Sequence, residues 1–170
     1  MDNHSLNRRS LNRRSVLAGA TALVGAVLAS GTAACAQTRP ERFPFMLTDA
    51  QWRRRLTPMQ YYVLRQEGTE RPYSHALDRE HRAGRFHCAG CDLPLFSSTT
   101  KFDSGTGWPS FYQPLPRATG SSTDLALGFP RTEVHCSRCG GHLGHVFDDG
   151  PRPTGKRYCM NGAAMTFRAS

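Results

Sequence analysis

The stretch CSRCGG, Cys136 to Gly141, decides how this chain is read, because CAGC, Cys88 to Cys91, repeats its cysteine spacing. Two residues between thiolates let both sulfurs converge on one ion from a single tight turn, which Gly90 and Gly140 make sterically easy. Two such turns complete a tetrahedral site of Cys88, Cys91, Cys136 and Cys139. Soft thiolates select Zn2+, and a closed four-sulfur shell leaves no position for a substrate, so the metal reads as structural. Such a site contributes ~10 kcal/mol or more of apparent binding free energy to folding. The 44 residues between Cys91 and Cys136 exceed the spacer of a short zinc ribbon. Strands and loops therefore fill the interval, and the metal ties two distant hairpins together. Two disulfides are the alternative for an exported protein. A shell in which His142 and His145 of HLGH replace two cysteines is another.

Around these turns the chain reads as short β-like runs separated by Gly, Pro, Ser and Asp: RFHC, PLFSSTTKF, LALGF, TEVHC, GHVF, RYCMN and MTFRA. Leu125 and Leu127 alternate with smaller residues, as Met165 and Phe167 do with Thr166 and Arg168. No helix-length periodic segment interrupts the runs, so parallel crossovers are disfavoured and an antiparallel β fold is expected. Upstream, LTDAQWRRRLTPMQYYVLRQEG holds two helix starts in succession. Thr48 is followed by Gln51 and Thr57 by Gln60, each a capping box, and Pro58 stands at a first helical position. Leu56, Tyr62 and Val63 supply apolar positions, and Gly68 is placed to close the second helix in a left-handed conformation. The expected class is mainly β, with short N-terminal helices and a structural zinc site.

At 170 residues the chain has room for one domain. Its formal charge of +9 resembles a nucleic-acid footprint, but four of the 22 basic residues and only one of the 13 acidic ones lie up to Ala36. Beyond that point basic and acidic residues alternate, as in ALDREHRAGR, which reads as a solvated face and not a phosphate-binding stripe. Residues 1–36 carry paired arginines, then no charge from Val16 to Ala36, then small residues. That order is what a secretory leader needs. NRRSVLAG resembles the twin-arginine export signal, with cleavage after Ala36 and export to the periplasm as the expectation. The membrane then meets the protein only transiently, through the leader. An uncleaved anchor, or lipidation at Cys35, are the alternatives. Residues 37–47 read as an extended linker and 48–170 as the domain. Because the twin-arginine route carries folded proteins, the ion is inserted before export on this reading.

With four cysteines on metal and Cys35 in the leader, Cys159 is the thiol left over. A small buried hydrophobe is the commonest fate of a lone cysteine. Its neighbours point elsewhere. Lys156 and Arg157 precede it, and nearby positive charge lowers a thiol's pKa. His142 and His145 are able to move protons near neutral pH. Asn161 adds an amide two residues on, facing the same way if the run is extended.

KFDSGTGWPSF (Lys101 to Phe111), CSRCGGHLGHVFDDGP (Cys136 to Pro151) and RYCMNG (Arg157 to Gly162), together with both CxxC pairs, closely resemble the methionine-R-sulfoxide reductases of the MsrB type. The resemblance runs from Thr48 to Phe167. It implies a β-tent-like fold of two antiparallel sheets and reduction of the R epimer of methionine sulfoxide, free or in oxidised proteins. It also implies that Cys159 is the nucleophile, with His142, His145 and Asn161 around the sulfoxide oxygen. Trp108 forms the wall for the substrate's methyl group, Arg157 stands on the substrate side, and the four paired cysteines hold structural zinc. Attack by a thiolate yields methionine and a sulfenic acid on Cys159. Many relatives carry a second cysteine that resolves this acid into a disulfide, and here that position is Thr106. Regeneration by an external thiol, thioredoxin-like or small, is therefore expected. A non-enzymatic zinc-ribbon module that binds nucleic acid and a thiol peroxidase are the rival readings; the first assigns nothing to Cys159 and the second has no use for the GWPSF wall.

Overall fold

Both capping boxes form as the sequence dictates. In the computed structural model, which describes residues 43–170, Thr48 caps helix α1 (Asp49–Arg55) and Thr57 caps α2 (Pro58–Gln66), each with reciprocal bonds to the glutamine three residues on. The face of α2 turned to the core carries Tyr61, Val63 and Leu64, whereas Tyr62 is 45% exposed. The left-handed residue that ends α2 is Glu67, not Gly68. Gly68 is needed for a different reason: a Cβ there would lie 2.3 Å from the Tyr62 ring. Among the described residues no helix is long and apolar enough to cross a membrane. The stretch read as a leader lies outside them, as does residues 37–42 of the linker. Residues 43–47 lie against the second CxxC turn, where the Phe45 N–H donates to the Arg138 carbonyl at 2.9 Å.

Nine strands follow: β1 (Gly84–Cys88), β2 (Pro94–Ser97), β3 (Lys101–Phe102), β4 (Ser110–Phe111), β5 (Thr119–Asp124), β6 (Arg131–Cys136), β7 (His142–Phe147), β8 (Arg157–Met160) and β9 (Met165–Ala169). They make two sheets, ordered β2-β1-β9 and β3-β4-β8-β7-β6-β5. Every pairing is antiparallel. The class read from the sequence, mainly β with two antiparallel sheets and short N-terminal helices, is the one observed.

One predicted strand is absent. LALGF is not a strand but the tip of the β5–β6 hairpin, with Leu125, Leu127 and Phe129 exposed. The strand there is TGSSTD, which has no apolar alternation and is held by pairing all six of its residues with β6. Alternation of large and small residues marks a strand only where one face is buried, and at a hairpin tip neither is.

The two sheets meet through aromatic side chains. Phe111 of β4 stacks on Phe96 of β2, with ring centroids 4.3 Å apart, and meets Phe86 of β1 edge-on at 4.9 Å. All three are fully buried. α2 covers β7 and the short turn Gly162–Ala164. Because Phe111 bridges the sheets beside the strand that carries Cys159, its loss leaves a cavity at their junction. Phe111→Ala is expected to cost about 3–5 kcal/mol, seen as a lower denaturation midpoint at unchanged slope.

Candidate active site and metal centre

The two CxxC turns are built alike. Asp92 donates its N–H to the Cys88 carbonyl at 2.8 Å, and Gly140 donates its N–H to the Cys136 carbonyl at 2.9 Å. Both donors take left-handed φ, 65° and 66°. The residue that turns the first knuckle is thus Asp92 and not the expected Gly90, whose φ is not left-handed. One knuckle joins β1 to β2 and the other joins β6 to β7, so each sheet contributes one pair of sulfurs. The four Sγ atoms lie within 4.8 Å of one another and all four residues are buried. Cys88 and Cys139 stand 3.7 Å apart, Cys91 and Cys136 3.5 Å. A disulfide needs about 2.05 Å, whereas a tetrahedron with metal–sulfur bonds of about 2.3 Å has edges near 3.8 Å. The four residues therefore fit one metal ion. Hydrogen bonds among the thiols push Cys88 and Cys139 up and hold Cys91 and Cys136 down. A cation would take the place of those shared protons.

Cys159 lies on the second sheet, apart from this cluster. Register places Ser122, Glu133, His145, Cys159 and Ser110 in one row across β5, β6, β7, β8 and β4. Directly opposed residues share a face, so the row aligns the thiol beside an imidazole. His142 and His145 are three apart, and in a regular strand they would point to opposite faces. A bulge prevents this. The β6–β7 register shifts between Val134 and His135, leaving Leu143 unopposed. Both rings then meet edge-to-face, with centroids 5.4 Å apart. Gly144 is required beside the bulge, because a Cβ there would lie 2.1 Å from the Cys159 carbonyl oxygen.

Cys159 opens into a cleft of about 140 Å³ lined by Trp108, Phe147, Arg131, His145, Asn161, Gly144 and Thr69. Trp108 is oriented by its Nε1–H, which donates to the Glu70 carbonyl at 3.1 Å. Asn161 stands at the start of the turn that follows β8, and its side chain makes no cap bond there. Its Oδ1 accepts from the Glu70 N–H at 2.9 Å and its Nδ2 donates to the Leu143 carbonyl at 3.1 Å. The amide thus borders the cleft with both ends committed to backbone. Arg157 is paired with Asp149 through two bonds of 2.9 and 2.8 Å and lies over the Phe147 ring at 4.5 Å. Arg157, expected on the substrate side, does not itself line the cleft but backs Phe147, which does. His142 does not line the cleft but an adjoining depression of about 200 Å³, which it shares with His145, Asp124, Glu133 and Arg131.

Two buffered imidazoles result. Asp124, held down to about 2 chiefly by the Ala126 N–H and next by His145, accepts from His145 Nε2 at 2.8 Å. Glu133, held down to about 2 chiefly by His142, faces His142 Nδ1 at 2.7 Å. Burial lowers the His145 pKa, against the pull of Asp124. With its Nε2 proton on an ionised carboxylate, neutral His145 keeps a lone pair on Nδ1. His142 Nε2 is buried without a partner among the described residues. Burial also pushes the Cys159 thiol up, outweighing the opposing effects of Thr106, Arg157 and Ser110. The sequence suggested the reverse, since it shows the adjacent positive charges but not the walls around the sulfur.

Comparison with known proteins places this geometry. The family model described as "SelR domain" matches residues 56–169. The chain belongs to the SelR family. It is 56% identical over 123 residues to "Peptide methionine sulfoxide reductase B1, chloroplastic" of Oryza sativa subsp. japonica, covering 72% of this chain and 58% of that protein. It is 56% identical over 121 residues to "Peptide methionine sulfoxide reductase MsrB" of Thiobacillus denitrificans, covering 71% and 92%. The protein of that name from Agrobacterium fabrum is 54% identical over 121 residues, covering 71% and 90%. The chain thus spans 58% of the rice protein and 61% of its Arabidopsis thaliana counterpart, but nine tenths or more of these two bacterial relatives.

Within this SelR domain, sequence reasoning missed Glu70, Asp124, Glu133, Arg131 and Phe147. Phe147 carried a signal, since GHVF places it two residues past His145 on the same face. Glu70 carried none. Its carboxylate, 4% exposed, accepts from the Gly162 and Ala163 N–H groups at 2.5 and 2.8 Å, while its own backbone orients Trp108 and Asn161. Glu70→Ala leaves two buried donors unmatched. It is expected to cost about 2–4 kcal/mol, measured by denaturant unfolding, with little change for Asp148→Ala, whose side chain is 84% exposed.

Proposed function

We propose that this protein reduces the R epimer of methionine sulfoxide to methionine, with Cys159 as nucleophile. The observation that carries the reading is the position of Cys159: the one described cysteine outside the tetracysteine cluster, beside His145 in the strand register, in a cleft walled by Trp108 and Phe147. The similar proteins named above as methionine sulfoxide reductases support it, and so does the residue-by-residue resemblance of the RxCxN, HLGH and GWPSF stretches. In the proposed step the thiol proton passes to His145 Nδ1 and from there to the sulfoxide oxygen, which leaves only when protonated. The Cys159 sulfur bonds to the sulfoxide sulfur as the S–O bond breaks and the protonated oxygen departs as hydroxide; hydroxide then attacks the Cys159 sulfur, breaking the new S–S bond and releasing methionine. Methionine and a Cys159 sulfenic acid are the products, the sulfur of the substrate having gained the two electrons that the thiol gave up. The flat faces of Trp108 and Phe147 take the methyl end without competing for hydrogen bonds. Asn161 and Glu70 hold the strand and the indole in place.

Two external thiols return the sulfenic acid to the thiol, releasing water and a disulfide. Thr106 Oγ1 lies 3.9 Å from Cys159 Sγ, where a hydroxyl cannot perform thiol–disulfide exchange. A thioredoxin-like protein or a small thiol fits this need. We further propose that the tetracysteine cluster holds one structural Zn2+, a closed shell that cross-links the sheets. Export to the periplasm by the leader is likewise proposed, on the order of charges and apolar residues in 1–36.

Cys159→Ser is expected to lose measurable reduction of the R epimer while retaining metal and fold, and equal activity in variant and wild type would refute the assignment. After one turnover without reductant, intact-mass analysis should find one added oxygen on the peptide containing Cys159 and no new disulfide. Thr106→Cys is expected to convert that product into an intramolecular disulfide between positions 106 and 159, detected by the loss of two hydrogens in place of the added oxygen.

A further inference from the structure

Among the described residues, seven large apolar side chains are exposed, and three of them crowd into five consecutive positions: Leu125 at 65%, Leu127 at 60% and Phe129 at 56%. They form the tip of the β5–β6 hairpin. The tip itself does not require them. Its turn is made by Gly128, left-handed at φ 79° and donating its N–H to the Leu125 carbonyl at 3.0 Å, and by the Asp124 side chain accepting from the Ala126 N–H at 2.8 Å. Single exposed apolar residues are ordinary, but a contiguous set marks a surface that something covers.

The place of the tip says what that is. Asp124 and Arg131, register partners at the two ends of the tip, both belong to the site. Asp124 holds His145 and is bonded by Arg131 at 2.5 Å. Arg131 lines both the Cys159 cleft and the adjoining depression, and Ala126 of the tip forms a wall of that depression. His145 and Thr69 also border both. The tip thus meets the depression through Ala126, and the depression shares Arg131, His145 and Thr69 with the cleft that holds the thiol.

We propose that the hairpin tip Leu125–Pro130 is a docking arm for the polypeptide whose oxidised methionine enters the cleft, and that it selects chain segments carrying large apolar side chains beside the sulfoxide. This rests on the reading of the cleft as the sulfoxide site. A peptide whose sulfoxide side chain enters the cleft of about 140 Å³ has its flanking residues outside it, and those that cross the depression meet Ala126 and, beside it in the tip, Leu125, Leu127 and Phe129. There they bury apolar surface on both partners. The arm is tied to the reacting imidazole through Asp124, so a docked segment is held in fixed relation to His145.

Two peptides of equal length and charge test this, each with one central methionine-R-sulfoxide, one flanked by Leu and Phe and the other by Ser and Gly. Wild type is expected to favour the apolar peptide by about tenfold or more in kcat/KM, carried by KM. A variant with Leu125→Ser, Leu127→Ser and Phe129→Ser is expected to bring that ratio close to one. Replacing the same three residues by Met is expected to keep the preference, because the contact is apolar and not shape-specific. The ratio is internal to each protein, so partial loss of folded enzyme does not imitate the result; should the triple variant not fold, Phe129→Ser alone is read in the same way. A wild-type ratio near one, or a Ser variant that keeps the preference, overturns the docking arm while leaving the activity intact. A flat ratio together with dimerisation that the Ser variant abolishes in sedimentation assigns the patch to a second copy and also overturns it. Failure of wild type to reduce either peptide overturns the activity itself.

Discussion

Convergence of four sulfurs on one point is the constraint from which the rest of the structure follows. One pair sits at the β1–β2 turn, in the three-stranded sheet, and the other at the β6–β7 turn, in the six-stranded one. Separations of 3.5 and 3.7 Å are too long for a covalent bond and too short for four independent thiolates. A shared cation is the arrangement that fits them. Small β domains have limited apolar area to bury, and here the sulfur cluster supplements a core whose aromatic part is the trio Phe86, Phe96 and Phe111. Fixing the β6–β7 hairpin at its turn also fixes the strand that bears both histidines.

From that anchored strand the chemistry is positioned by register. The bulge at Leu143 rotates His142 onto the face of His145, and the missing side chain of Gly144 lets β8 approach so that Cys159 falls beside His145. Glu70 then joins the region after α2 to the end of β8, orienting Trp108 and Asn161 with its backbone while its carboxylate takes two amides. Burial pushes the pKa of the thiol up and that of the imidazole down. Both shifts favour the uncharged forms, which spares the site an unpaired buried charge.

What was legible in the sequence was local. The capping boxes of α1 and α2 operate within three residues, and each CxxC spacing operates within one turn, so both were readable without a fold. Strands with a buried face, such as β1, β6 and β9, announced themselves by their apolar residues. β5 did not, because TGSSTD is an edge strand held by its neighbour and not by its own burial. LALGF had the right alternation in the wrong place. The His142–His145 pairing depended on a bulge that no periodicity reveals, and Glu70 acts on amides more than ninety residues away. The direction of the Cys159 shift was misread because charge is visible in a sequence and burial in a cleft is not.

The central claim is a division among the sulfurs: four committed to a metal that holds the sheets together, one left for reaction. Alkylation of the native protein under non-reducing conditions, with mapping of the labelled cysteines and simultaneous measurement of zinc, tests it directly. The account predicts that Cys159 is labelled while Cys88, Cys91, Cys136 and Cys139 stay unmodified and one zinc per chain is retained. Labelling of Cys159 that releases the metal, or recovery of the four as two disulfides without zinc, would contradict it.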